Sequence, residues 1–248
     1  MKIGILGAGS IGGTLARKLS TAGHEVKVAN SRGPETIEPD ILAAGARAVN
    51  ASDVVADVAV LITSIQLSRM TSIAPLIAKL PSDAVLVDTS NYYPHREPRI
   101  QALDDGQTES LWVSEQIGRP LAKAWNAIYK ESFATQGKAA GHPDRLAVPV
   151  AADRDSDKLV AMALVEDTGF DAVDSGSLAD SWRQQPGSPC YCTNLKRPEI
   201  LKALAAADKA RIPLRRDLVM AAVQERFEVV PDIGVGEYFV RLCRAICN

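Results

Sequence analysis

Three groups of residues in this chain have chemistry to offer. The first is Lys2–Gly13, KIGILGAGSIGG, where Gly7, Gly9 and Gly12 stand as G-x-G-x-x-G. Ile3, Ile5 and Leu6 before them make an apolar run of strand length, and Ile11, Leu15 and Leu19 after them recur every four residues as a buried helix stripe. The glycines therefore occupy a strand-to-helix turn, the setting of a dinucleotide fingerprint. Gly7 permits the tight turn, Gly9 lets a pyrophosphate approach the backbone, and Gly12 lets the helix pack closely on the strand. Free N–H groups and the positive end of the helix dipole then face the phosphates. The competing reading is a tight turn that binds nothing; a second strand following in register favours the nucleotide.

The second group decides which nucleotide. The ribose is read at the end of the second strand, where an acid selects NAD by bonding the 2′-hydroxyl and repelling a phosphate. This chain has Asn30, Ser31 and Arg32 there. Ser31 can donate to a phosphate oxygen, and Arg32 supplies a planar, permanently charged fork. Glu35 is close in sequence, but it lies past Gly33-Pro34 and can point away. The plainer alternative is a solvated arginine in a turn; beside the fingerprint, the triplet predicts NADP.

The third group lies at the carboxyl ends of later strands, where such sheets bind their ligands. Thr63, Ser64 and Ile65 follow the fourth predicted strand, Asp88–Asn91 the fifth, and Asn126 with Ala127 the sixth. All are small, polar or able to offer backbone, which suits a nicotinamide ring and its amide, though each alone could be an ordinary turn residue. No catalytic residue is predicted. His24, His95 and His142 sit in no recognisable catalytic setting, and Tyr129-Lys130 are adjacent rather than one helical turn apart. A hydride passed between two cofactor rings needs no acid–base pair, because the cofactors carry the chemistry. Cys190/Cys192 and Cys243/Cys247 lack the usual zinc-ligand spacing, so no metal is predicted; Phe239, Leu242, Cys243 and Ile246 form a helical stripe that buries Cys243.

Alternating strands and helices must position these groups: strands at Glu25–Ala29, Ala46–Val49, Val58–Ile62, Ala84–Val87, Leu121–Trp125, Leu146–Ala151 and Phe170–Val173, with helices between them. That alternation predicts an α/β chain, a Rossmann-type doubly wound parallel sheet with helices on both faces. From Ser175 the character changes: Ser181–Cys192, SWRQQPGSPCYC, reads as a long ordered loop, and helices follow at Pro198–Ala207, Leu214–Arg226 and Gly236–Cys247. The expected division is a nucleotide-binding domain over residues 1–174 and a small, mainly helical lobe over residues 175–248 that completes the substrate site.

The 248 residues are 46% hydrophobic and 23% charged, an ordinary globular balance, and the net charge of −2 gives no reason to expect nucleic acid or an anionic membrane as partner. No signal peptide is visible and no apolar run reaches membrane-spanning length, which predicts a cytoplasmic protein.

The run GILGAGSIGG, the A-x-x-L-x-x-x-G-H-x-V pattern of Ala16, Leu19, Gly23, His24 and Val26, the NSR triplet, DTSN at Asp88–Asn91 and KAWNAI at Lys123–Ile128 resemble the coenzyme F420-dependent NADP oxidoreductases. The first part of that pattern is shared with pyrroline-carboxylate reductases and hydroxyacid dehydrogenases; NSR with KAWNAI narrows it. The resemblance covers most of the first 175 residues. It implies a Rossmann domain with a small C-terminal lobe, a homodimer, and hydride transfer between nicotinamide C4 and deazaflavin C5. Carried over, Gly7, Gly9, Ser10, Ile11 and Gly12 hold the pyrophosphate, Ser31 and Arg32 the 2′-phosphate, and Thr63, Ser64, Ile65, Asn126 and Ala127 line the nicotinamide. The segment GSLADSWRQQPGSPCYC departs from the F420-using archaeal pattern and resembles bacterial relatives, so the second substrate, a small-molecule electron acceptor such as F420 or a flavin, does not carry over with the nucleotide. A reductase of a small carbonyl or imine, and a non-catalytic NADP(H)-binding redox sensor, remain as alternatives.

Overall fold

In the computed structural model, which describes residues 1–229 and 235–247, eight strands form one sheet in the order β3-β2-β1-β4-β5-β6-β7-β8. They are β1 Lys2–Leu6, β2 Glu25–Ala29, β3 Arg47–Ala48, β4 Val60–Thr63, β5 Val85–Asp88, β6 Ala122–Lys123, β7 Ala147–Ala152 and β8 Asp171–Asp174. The first six run parallel, with Leu6 level with both Ala29 and Thr63, and Thr63 level with Asp88. Their carboxyl ends therefore finish along one edge. The strand order reverses direction from β1, so β3 and β2 lie on one side of it and β4 on the other, as a dinucleotide fold requires.

Alternation along the strands decides what each face meets. Ile3, Ile5, Val60, Ile62, Val85 and Val87 face one apolar layer with Leu15 and Leu19 of α1 (Ser10–Thr21), Phe133 and Leu164. Leu6, Leu61 and Leu86 face the other, with Met70 and Ile77 of α3 (Met70–Ile77) and Trp112 and Val113 of α5 (Glu109–Ile117). Strands buried on both faces read as continuous apolar runs, which is why they stand out in the sequence. Between these come two one-turn helices, α2 Pro39–Leu42 and α4 Gln101–Asp104.

One expectation of the sheet is corrected. β7 pairs antiparallel with β6, Lys123 opposite Ala151, and β8 then runs parallel to β7. A parallel return needs a crossover that carries the chain back to the strand's starting end. Here the link holds only the short α6 (Lys130–Thr135) and a loop, so the chain enters β7 from the opposite end. A strand's side-chain pattern is the same in either direction, which is why the sequence cannot display the reversal. α7 (Asp155–Asp167) joins β7 to β8.

After β8 a 3-10 segment, Leu178–Gln184, occupies the first part of what the sequence presents as a loop; its Ser177 accepts from the Asp180 backbone in a capping box. Helices α8 (Arg197–Ala205), α9 (Ile212–Val229) and α10 (Val235–Cys247) follow. A third apolar cluster fastens them to the strand ends: Tyr93 and Ala127 pack with Tyr191, Ile200, Val219 and Cys243. All four cysteines are free and buried. Burial pushes the Cys190 thiol up to about 12, so it packs as a small apolar group. His24 is a tether: Nε2 lies 2.9 Å from Asp167 Oδ2 and Nδ1 3.0 Å from the N-terminal amine. No helix among the described residues is long and apolar enough to cross a membrane.

Candidate functional site

The fingerprint turn shows a reason for each glycine. Gly7 has φ of 114°, open to glycine and strained for any other residue, and a Cβ there would overlap the Ser64 carbonyl oxygen. A Cβ on Gly12 would overlap the Gly7 carbonyl oxygen, so α1 could not sit this close to β1. Gly9 faces open space, with nothing within 4 Å of where its Cβ would be. As N-cap of α1, Gly9 offers no side chain to the first-turn N–H groups, which leaves them for an outside acceptor.

That turn opens onto a cavity of about 580 Å³. Gly9, Ser10 and Ile11 form one end, Ser64 and Ile65 the adjoining wall, and Asn91 and Asn126 the floor. The far wall is aromatic and apolar: Tyr129, Tyr191, Met220, Val223 and Phe239, the last three from α9 and α10. The Tyr129 and Phe239 rings stack with centroids 5.1 Å apart. Arg96 and Lys130 also line the cavity, beside Glu97.

Other predicted residues support the cavity from outside its lining. Gly7 and Gly12 shape the turn. Thr63 is buried, donating to Asp88 Oδ1 at 3.1 Å. Ala127 is buried and its carbonyl accepts from the Cys192 N–H at 2.7 Å. Asn30, Ser31 and Arg32 stand beyond the cavity at the end of β2, whose Ala29 carbonyl accepts from the Gly7 N–H at 2.8 Å. Asn30 organises that turn: its Oδ1 accepts from the N–H groups of Arg32 at 2.9 Å and Gly33 at 3.0 Å, leaving the side chains of Ser31 and Arg32 exposed. Gly33, with φ of 106°, and the 3-10 turn Pro34–Thr36 fold the Glu35 carboxylate back against Gly33.

Asp88 and Asn126, both singled out from the sequence along with Asn91, are held by Lys123 and Gln184, to which sequence reasoning gave no site role. Lys123 and Asp88 form an ion pair at 2.6 Å, 1% and 0% exposed. Asp88 also accepts from the Ser90 hydroxyl at 2.8 Å, and Lys123 donates to the Ser90 carbonyl. Both Asp88 carboxylate oxygens thus have partners, Oδ1 from Thr63 and the Ser90 N–H and Oδ2 from Ser90 and Lys123, which helps a buried pair hold a geometry. Asn91 donates to the Asn126 carbonyl at 2.9 Å and Asn126 donates to Asn91 Oδ1 at 3.0 Å. Gln184 clamps Asn126 from the other side, donating to its Oδ1 at 2.9 Å and accepting at its own carbonyl at 2.8 Å. Trp125, at φ of 55°, turns the chain out of β6 so that Asn126 reaches this floor. Lys123 carried a signal as the first residue of KAWNAI; Gln184 carried none.

Behind the floor, Glu109 is 2% exposed and burial raises its carboxyl to about 7, against the pull of Lys123. Its Oε1 accepts from Gln185 at 3.1 Å, while Oε2 has no partner. Tyr92 points elsewhere, its hydroxyl bonded to Asp104 and the Ile100 N–H. His95 packs edge-on to Tyr93, and burial, with Arg96 and Arg216, lowers its basicity. The Ser181–Cys192 segment divides: Tyr191 and Cys192 reach the cavity, whereas Trp182 lies under the Arg183 guanidinium, 4.3 Å from the ring centroid, at a separate small cavity. Lys196 pairs with Asp144, and Arg197 lies near Glu166 and Asp171. Among the described residues no group of three or more His, Cys, Asp or Glu side chains is placed to hold a metal ion.

Residues 2–92 match the sequence profile of a family described as NADP oxidoreductase, coenzyme F420-dependent. A stretch of 77 residues is 49% identical to the protein YjhV of Escherichia coli (strain K12); it spans 29% of this chain and 56% of that relative. Among solved structures, the hypothetical protein SMa0349 from Sinorhizobium meliloti superposes with a TM-score of 0.66 at 26% identity, over 79% of this chain and 96% of that one. A candidate F420-dependent NADP-reductase from Arthrobacter sp. FB24 superposes with a TM-score of 0.56 at 22% identity, over 73% and 87% of the two chains, a likeness of fold. Through residues 2–92 the chain is similar to the coenzyme F420-dependent NADP oxidoreductases, and its sheet is of Rossmann type.

Proposed function

We propose that this protein transfers a hydride between NADP(H) and a flat, flavin-like acceptor, F420 or a flavin. The observation that carries the reading is what lines the 580 Å³ cavity: the fingerprint turn, the Asn91 and Asn126 amides, and the aromatic rings of Tyr129, Tyr191 and Phe239. A nicotinamide laid on Asn91 and Asn126 from the Gly9 turn exposes one face toward Tyr129, Tyr191 and Phe239. A second planar ring fits between, stacked on the first, which is the near-attack arrangement hydride transfer requires. The pyrophosphate belongs at Gly7, Gly9, Ser10, Ile11 and Gly12, the 2′-phosphate at Ser31 and Arg32. Thr63, Ser64, Ile65 and Ala127 set the nicotinamide end.

The chain's own part is to bind, orient and exclude water. Lys123 and Asp88 fix the floor, α9 and α10 close the apolar side, and Arg96 and Lys130 supply positive charge for an anionic tail. In this reading residues 1–174 hold the nucleotide, residues 175–248 complete the acceptor side, the working unit is a homodimer, and the protein acts in the cytoplasm.

Stopped-flow oxidation of NADPH against F420, FMN, FAD, ferric chelates and small carbonyls tests it. Fast turnover confined to the planar acceptors is expected. Turnover confined to carbonyls would transfer the site to the carbonyl-reductase reading, and no turnover with any acceptor would leave a sensor.

A further inference from the structure

A second cavity, of about 350 Å³, lies between α8, α9 and the end of α10 and shares no lining residue with the first. Leu195, Ala203 and Cys247 give it an apolar wall, and its charged lining residues are Glu199, Lys202 and Arg215. Glu199 and Lys202 are exposed, whereas Arg215 is only 8% exposed. Among the described residues the Arg215 guanidinium has no hydrogen-bond or ion-pair partner. Its Nε is sealed in without an acceptor, and its terminal nitrogens are left to the cavity. Two lining groups could carry an answering charge, and neither does so. Glu199 is turned to the Lys196 N–H, 2.9 Å from its Oε2, and pairs with neither cation. Cys247 stays a neutral thiol, because burial raises it to about 11 against the pull of Arg215. A guanidinium keeps its proton at any physiological pH, so burial cannot neutralise it as it does a carboxyl or an amine. Left unpaired away from water it is costly, and an anion that enters removes the cost.

We propose that this cavity is a binding site for a small organic monocarboxylate, held by Arg215 and separate from the hydride-transfer site. The planar fork of a guanidinium matches the two oxygens of a carboxylate. With Nε sealed, the ligand meets it end-on, through the two terminal nitrogens. The short apolar body of the acid lies against Leu195, Ala203 and Cys247, and Lys202 adds positive charge at the rim. Glu199 on the same lining repels a phosphate dianion, which also has no apolar body to bury. A bound carboxylate joins α8, α9 and α10, and α9 and α10 also supply Met220, Val223 and Phe239 to the first cavity. A ligand that binds only the folded chain raises its melting temperature.

The test is binding, so it does not depend on any acceptor being turned over. Calorimetry and thermal melts in buffer free of carboxylate and phosphate compare butyrate, uncharged butyramide and inorganic phosphate on the parent, Arg215→Met and Arg215→Lys proteins. Butyrate should bind the parent and raise its melting temperature, and butyramide and phosphate should do neither. Arg215→Met should weaken butyrate at least about tenfold, as loss of a charge-assisted pair does. Without ligand it should melt no lower than the parent, because it removes an unpaired buried charge. Arg215→Lys keeps the charge without the planar fork and should weaken butyrate roughly fivefold. Saturating NADPH should leave butyrate affinity unchanged. A parent that binds no butyrate, or binds butyramide or phosphate as tightly, would overturn the assignment, as would undiminished butyrate binding in either variant. Competition between butyrate and NADPH would place the carboxylate in the first cavity instead. Arg215→Met melting well below the parent without ligand would make Arg215 a structural group, and that result too would overturn the proposal.

Discussion

Single side chains here do work that their neighbours in sequence do not reveal. Arg32 is exposed at the end of β2, beyond the cavity but beside the fingerprint turn. As the fork that meets a 2′-phosphate, it should give NADPH at least tenfold tighter binding than NADH, about 1.4 kcal/mol. Arg32→Ala should remove most of that preference and leave NADH affinity nearly unchanged, which calorimetry with the two nucleotides would show. Glu109 makes a prediction of the opposite kind, about pH. Its carboxyl is raised from 4.5 to about 7 by burial, so the folded chain keeps a proton that the unfolded chain loses across that interval. Where the folded state binds more protons, stability falls as pH rises. Stability should therefore be full below pH 4.5 and decline by on the order of a few kcal/mol toward pH 7. Glu109→Gln should flatten that decline in denaturant titrations. The charged groups around this carboxyl are Lys123, Arg216 and Asp88, and Lys123 with Asp88 forms the floor of the cavity.

At the scale of elements, the Ser181–Cys192 segment acts through its two ends. Tyr191 faces the cavity, Gln184 clamps Asn126, and Gly187 passes so close to the start of α9 that a Cβ would overlap the Ile212 carbonyl. Trp182 instead packs with Tyr92, Leu103 and Pro213 around a cavity of about 60 Å³. Trp182→Ala should accordingly lower the melting temperature, for a loss of roughly 1–3 kcal/mol, while acceptor KM stays within twofold. A sharp rise in KM at unchanged melting temperature would put the indole in the substrate site. The elements also show what was legible beforehand. β1, β4 and β5 are buried on both faces and announce themselves as apolar runs, and Gly7, Gly9 and Gly12 are forced by backbone contacts within a short stretch of chain. The Tyr93–Tyr191 and Asn126–Gln184 contacts join residues 98 and 58 positions apart, and no local pattern encodes them. The reversal at β7 was hidden for the related reason that its cause is the short link after β6, not the strand itself.

For the whole molecule, the six parallel strands bring their carboxyl ends to one edge, and the C-terminal helices add the apolar wall through the Tyr93–Tyr191–Cys243 cluster. The central claim is that this edge lays two rings face to face. NADPH carrying deuterium at the transferred C4 position, turned over with F420, tests it most directly. Direct transfer predicts a primary isotope effect on the rate and deuterium retained at C5 of the reduced deazaflavin, a carbon that does not exchange with water. Reduced product with only solvent hydrogen at C5 would contradict it.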